Sequence, residues 1–137
     1  MFEGEIITLF LNSTDIVDNI SSYAGQPSIF TNEAPEEVDF PYIVFDIRTI
    51  SPPDSIIDRF MVDIDCYDYK NSGAGLRTLV NSINETLDNQ RVNNSRYSDI
   101  RIRRDIYSRV PTGDPRAFHY HIQIEARATR KKWMSTI

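Results

Sequence analysis

The sequence predicts an α+β domain, an antiparallel β-sheet with helices packed on one face. Residues 59–67 and 118–129 alternate apolar and polar side chains, the period of a strand with one buried face. Residues 76–87 repeat apolar side chains at helical spacing. The elements run helix, strand hairpin, helix, strand hairpin. At 137 residues the chain fits a single domain, 1–137, with a basic tail from about residue 130.

Each element has a local reason. Ile6, Leu9, Phe10, Ile16, Val17 and Ile20 fall at mostly helical spacing, interrupted by the weak helix formers Asn12, Ser13 and Thr14. One kinked helix or two short ones fit equally. Gly25 is a candidate left-handed cap and Pro27 a stop. A short strand is expected at 28–31, then an acidic loop at 32–39 with Pro35. Residues 40–50 are rich in β-branched and aromatic side chains and read as a strand. Residues 51–55, with Pro52-Pro53-Asp54, must turn. Phe60, Val62, Ile64 and Cys66 then face one way, and Arg59, Asp63 and Asp65 the other, in a strand expected to pair with 40–50.

Residues 71–73 open the clearest helix, with Leu76, Leu79, Val80, Ile83 and Leu87 on one stripe. Residues 88–98 are polar and read as a loop. Ile100, Ile102 and Ile106 alternate with Arg101, Arg103 and Asp105, a half-buried strand; Arg101 and Arg103 share a face, with Tyr107 in the same register. A long turn at 110–115 precedes the longest alternating run, Phe118, Tyr120, Ile122, Ile124, Ala126 and Ala128, which is expected to lie centrally. The strand residues 60–64 and 118–124 on the apolar side should face the Leu76–Leu87 stripe. The connections 51–58 and 109–116 are expected to project beyond the sheet.

Composition narrows the function. The chain is 40% hydrophobic and 26% charged, which excludes a wholly disordered chain. One cysteine excludes an intramolecular disulfide framework and a cysteine-only zinc site. No apolar run approaches the roughly 18 residues of a membrane span, and no secretory signal pattern is visible, so use inside a cell is expected. Net charge is −5, unevenly placed: residues 1–70 hold 14 acidic against 3 basic side chains, and 71–137 hold 6 against 12. That asymmetry fits a basic nucleic-acid face, or acidic and basic surfaces meeting between copies of the chain.

Candidate chemistry is sparse. His119 and His121 are two apart on a strand and share a face, where Asp63, Asp65 or Glu125 could complete a metal site. The simpler reading is two solvent-facing histidines. Asp63 and Asp65 could form a hydrolytic carboxylate pair. Cys66 falls on the apolar side beside Asp65, a setting for a buried structural thiol and not an activated one. Gly73-Ala74-Gly75 precedes a helix without the lysine and hydroxyl of a phosphate loop. No nucleophile with its base is marked, so no enzyme and no cofactor are expected. A small metal-dependent or hydrolytic enzyme using His119, His121, Asp63 and Asp65 is the alternative. Arg101, Arg103, Arg104, Arg109, Arg116 and the 127–132 cluster are basic, but the acidic pI of 4.9 argues against a dedicated nucleic-acid binder.

Phe40-Pro41-Tyr42-Ile43-Val44-Phe45, the strand FMVDIDCYDY that follows, and the helix at 76–87 together resemble the tail-terminator and tail-completion (head–tail joining) proteins of long-tailed bacteriophages. The long alternating strand after a Pro/Gly-rich loop fits as well. The resemblance covers most of the chain as an order of elements. It implies a structural protein of the virion tail, at its head-proximal end, assembled in the host cytoplasm. Such a protein forms a homo-oligomeric ring, hexameric in the family, that caps the tail tube, stops its polymerisation and meets the head connector. DNA transits the lumen without specific binding, and no membrane and no cofactor are involved. Interface residues expected on this reading are Glu33, Glu36, Glu37 and Asp39 on the acidic side and Arg101, Arg103, Arg104, Arg130, Lys131 and Lys132 on the basic side, with the loop residues Pro111, Thr112, Gly113 and Asp114.

Overall fold

The computed structural model describes residues 2–50, 57–69, 73–88, 90–92, 97–110 and 117–130. The N-terminal periodicity resolves into two helices, α1 (Glu3–Leu11) and α2 (Thr14–Val17). Glu3 and Glu5 lie in the first turn of α1, where carboxylates complement the helix dipole. The break at residues 12–14 follows from Ser13, whose Oγ accepts the Ile16 N–H and so starts α2 afresh.

Gly25 is left-handed, as expected, but it caps no helix. Ala24 (φ 52°) and Gly25 (φ 81°) are the two turn residues of a small hairpin, β1 (Ser22–Tyr23) against β2 (Gln26–Pro27). A two-residue hairpin turn with positive φ at both positions matches the twist of the strands it joins. Next come β3 (Ile29–Thr31), β4 (Tyr42–Thr49), β5 (Ile57–Tyr69), α3 (Gly73–Leu87), β6 (Gln90–Val92), β7 (Tyr97–Val110) and β8 (Ala117–Arg130).

The expected α+β class, an antiparallel sheet with helices packed on one face, is corrected here. About half of the described residues are strand and 26% are helix, so the protein is mainly β. Its body is a curled, mixed sheet of six strands in the order β3-β4-β5-β8-β7-β6. β3 runs parallel to β4, and the other pairs are antiparallel. The physical reasons are local. β5, β7 and β8 run 13, 14 and 14 residues, longer than their alternating cores. The polar stretch 88–98, read as a loop, contains β6 and the start of β7. Ile57 and Asp58 belong to β5, and Arg109 and Val110 to β7, so both connections are shorter than expected; residues 51–56 and 111–116 lie outside the described residues.

β4 and β5 pair as the anticipated hairpin, and β8 lies centrally between β5 and β7. The buried strand side chains include Ile43, Phe45, Phe60, Ile64, Cys66, Ile122 and Ile124. Leu79, Val80, Ile83 and Leu87 of α3 join them, as do Ile6, Phe10 and Ile16; Leu76 carries no described side chain. Phe2 meets Phe60 edge-on at 5.1 Å and Phe10 meets Phe45 at 6.0 Å, which fixes the N-terminal helices to the sheet. Asp58 is buried and accepts a hydrogen bond from Tyr97 Oη at 3.1 Å, joining β5 to β7.

Candidate functional site

The polar face of β4, β5 and β8 holds the residues that the sequence marked for chemistry. Register sets them in rungs. Tyr42, Tyr67 and His119 form one rung, Val44, Asp65 and His121 the next, and Asp46, Asp63 and Gln123 the third. The first rung is a continuous stack: Phe40 on Tyr42 at 5.6 Å, Tyr42 on Tyr67 at 4.8 Å, and Tyr67 on His119 at 4.3 Å, all within 20° of parallel. Burial, with the nearby Asp65 charge, pushes the Tyr67 hydroxyl up to about 12.

His119 and His121 do share a face with Asp63 and Asp65. His119 Nε2 lies 2.6 Å and His121 Nδ1 2.8 Å from the same oxygen, Asp65 Oδ1. An ionised carboxylate only accepts, so both nitrogens donate. Burial alone would raise the Asp65 carboxyl, but these two bonds and the imidazole charges hold it below the usual carboxylate value. His121 Nε2 is 3.4 Å from Asp63, so both of its ring nitrogens face carboxylates. Asp63 also accepts from Gln123 Nε2 at 3.1 Å and from Arg48 Nε at 2.9 Å. Among the described residues, no group of three His, Cys, Asp or Glu side chains is arranged to hold a metal ion. Cys66 is fully buried on the opposite face; desolvation, reinforced by Asp65, drives its thiol pKa far upward.

The acidic segment folds beside this face. Glu33, Glu36, Phe40, Tyr42, Asp65 and Tyr67 help line a cleft of about 460 Å³. Glu37 Oε1 accepts from Tyr23 Oη at 2.6 Å, which lowers the Glu37 carboxyl and raises the Tyr23 hydroxyl. Asp39 is exposed, and its carbonyl accepts from Ser21 Oγ at 2.7 Å.

The basic candidates lie elsewhere. Arg101 is exposed on β7, opposite Arg127 of β8. The backbones of Arg103 and Arg104 stand opposite Glu125 and Ile124, and an irregularity follows between Arg104 and Ile106. The irregularity shifts the parity of the strand, so Tyr107 stands opposite Ile122 and not in the register of Arg101 and Arg103. Arg130 closes β8 opposite Tyr97; Pro111, Thr112, Gly113, Asp114, Lys131 and Lys132 lie outside the described residues.

Sequence reading missed one grouping. Arg59, Arg127, Arg101 and Arg91 occupy a single rung across β5, β8, β7 and β6, all exposed. Glu125 on the adjacent rung accepts from Arg59 Nε at 2.9 Å and Arg127 Nε at 3.1 Å. Slight burial would raise Glu125, but these two arginines hold it below its usual value. The four arginines are scattered over residues 59–127, and only strand register brings them into line.

The fold has solved counterparts. A chain of the virion of a native gene transfer agent particle superposes with a TM-score of 0.72, covering 90% of this chain and 91% of that one at 9% sequence identity. A second solved chain superposes with a TM-score of 0.60, covering 94% of this chain and 97% of that one, also at 9% identity. At this identity the likeness shows a shared fold. No family model matches the sequence, and no curated protein does. Among the described residues, no helix is long and apolar enough to cross a membrane.

Proposed function

We propose that this chain is a structural protein of a phage-like virion. Within that class we propose a tail terminator, a homo-oligomeric ring, hexameric in the family resembled, that caps the tail tube, stops its polymerisation and joins the tail to the head connector while DNA passes through. The observation that carries the reading is the fold match over nine-tenths of both chains to a chain of a gene transfer agent virion. The terminator assignment draws on the resemblance of the 40–45, 60–69 and 76–87 segments. A structural role, not a catalytic one, agrees with the polar face, where His119, His121, Asp63 and Asp65 are occupied with one another. A net charge of −5 suits a ring through which DNA must slide, since like charge disfavours adhesion.

The test is direct. Purified chain, followed by light scattering and negative-stain imaging, should form closed rings. Added to polymerising tail tubes, it should halt their growth. Deleting residues 112–114 should leave the subunit folded and abolish capping. A chain that stays monomeric and leaves tube length unaltered refutes the proposal.

A further inference from the structure

The cleft beside the polar face has a preformed wall and an acidic lining. Its wall is the segment 32–40, tied down at three points. Asn32 donates its backbone N–H to the Phe45 carbonyl at 3.0 Å, Glu37 accepts from Tyr23 Oη at 2.6 Å, and the Asp39 carbonyl accepts from Ser21 Oγ at 2.7 Å. A wall fixed in this way lowers the ordering cost of binding. The floor is Tyr42 and Val44 of β4 with Asp65 and Tyr67 of β5. Among the described lining residues the charged side chains are Glu33, Glu36 and Asp65, all acidic. Two histidines engage Asp65, whereas Glu33 and Glu36 are exposed.

The aromatic floor adds a second requirement. Tyr42 is stacked between Phe40 and Tyr67, and Tyr67 between Tyr42 and His119, so both faces of each tyrosine ring are covered. What the rings present to the cleft is their edges. Edges carry the positive part of the aromatic quadrupole and favour the flat face of another ring in a T-shaped contact. A lone cation would prefer ring faces, which are taken. The matching occupant is therefore a flat aromatic side chain next to cations, the ring on the floor and the cations on Glu33 and Glu36.

This chain carries such a segment. Arg130-Lys131-Lys132-Trp133 sets three cations before the only tryptophan, directly at the end of β8; residues 131–133 lie outside the described residues. The cleft cannot receive it from its own copy. Asp65 stands opposite His121, nine residues along β8 from Arg130, roughly 30 Å at the rise of a strand. Trp133 is three residues beyond Arg130, a span of at most about 11 Å. A second copy can supply it, one surface meeting a different surface in the head-to-tail manner that builds rings.

We infer that the cleft between the 32–40 segment and the β4–β5 floor is the docking site for the 130–133 segment of a second copy of this chain. Trp133 lies on the edges of Tyr42 and Tyr67, and the adjoining cations meet Glu33 and Glu36. The inference rests on the self-assembly proposed above but not on tail capping. The indole supplies most of the affinity, and the charges set which surfaces meet and how fast.

Trp133, as the only tryptophan, reports on the contact without any substitution. Over a dilution series followed by sedimentation velocity, wild-type emission should move to the blue in step with assembly, because the docked indole leaves water. The variants W133A, E33K/E36K and K131E/K132E should each assemble about tenfold more weakly, with circular dichroism as the check on folding. The two reversals mixed together should recover, because each altered surface then faces its opposite on the other chain. Wild-type chain that remains monomeric at every concentration overturns the self-assembly proposal and this inference with it. Wild-type chain that assembles with its emission unchanged overturns this inference alone. So does assembly that W133A or E33K/E36K leaves intact, and so do two weakened reversals that fail to recover on mixing. Full-strength assembly of E33K/E36K with loss of its incorporation into virions would give the cleft to a different protein, and overturns the inference too.

Discussion

Phe60→Ala should be among the most damaging single substitutions in this domain. Phe60 is 1% exposed on β5 and joins two separate pieces of structure. Its ring meets Phe2, just before α1, at 5.1 Å and 77°, and Tyr97 of β7 at 5.6 Å and 79°. Truncation removes the transfer energy of a full phenyl ring and leaves a cavity, a change that typically costs about 3–5 kcal/mol. Each edge-to-face contact accounts for about 0.5–1.5 kcal/mol of that. Tyr97 also carries the hydrogen bond to buried Asp58, so its displacement adds to the cost. We expect about 4 kcal/mol, a large share of the roughly 5–15 kcal/mol that holds a domain together. Urea denaturation with linear extrapolation measures this, and a thermal scan should fall by roughly 12 °C. The double-mutant cycle with Phe2→Ala should show coupling of about 1 kcal/mol. Leu11→Ala, at a side chain 44% exposed, should change stability by less than about 0.5 kcal/mol. If Phe60→Ala costs less than about 1 kcal/mol, or shows no coupling to Phe2, the packing of the N-terminal helix on β5 is wrong.

Asp65→Asn should cost about 1–2 kcal/mol at pH 7, because two imidazole nitrogens donate to that carboxylate. The folded-state value lies below the ordinary 3.8, so the contribution is complete above that value and fades as pH falls through the folded one; a wild-type-minus-variant difference that stays constant from neutral pH to pH 2 would refute this. Cys66 should resist a thiol reagent in native buffer and react stoichiometrically in denaturant, since burial opposes the thiolate; prompt labelling of folded protein would contradict its placement. Raising salt to about 1 M, where the screening length is about 3 Å, should weaken the proposed self-assembly without unfolding the subunit. Assembly indifferent to salt would remove the charged surfaces from any account of pairing.

Several features follow from short-range pattern alone. The α3 stripe, the β4–β5 hairpin, the buried face of β5 with Cys66, and the shared face of His119 and His121 with Asp63 and Asp65 all need only a period and a neighbour, and each is present. Backbone geometry fixes which side chains point together once an element is extended or helical, so such statements hold wherever the element sits. The mainly β character was not legible. Gln90, Arg91 and Val92 show no alternation, and they become β6 because β7 offers them an edge. The position of Tyr107 depends on an irregularity that no residue between Arg104 and Ile106 announces. The parallel pairing of β3 joins residues 14 positions apart in the chain, with no tight turn to signal it.

The arginine rung shows the division most plainly. The sequence by itself determined that acidic side chains dominate residues 1–70 and basic ones 71–137, because charge is counted and needs no fold. It placed Arg59, Arg91, Arg101 and Arg127 in strand or loop but could not align them, because pairing register is a long-range choice made by the buried faces of β5, β8 and β7 together. A shift of one residue in any of these strands would turn its arginine toward the core, so burial of Ile64, Ile122 and Ile102 on one side is what holds the guanidinium groups in line on the other.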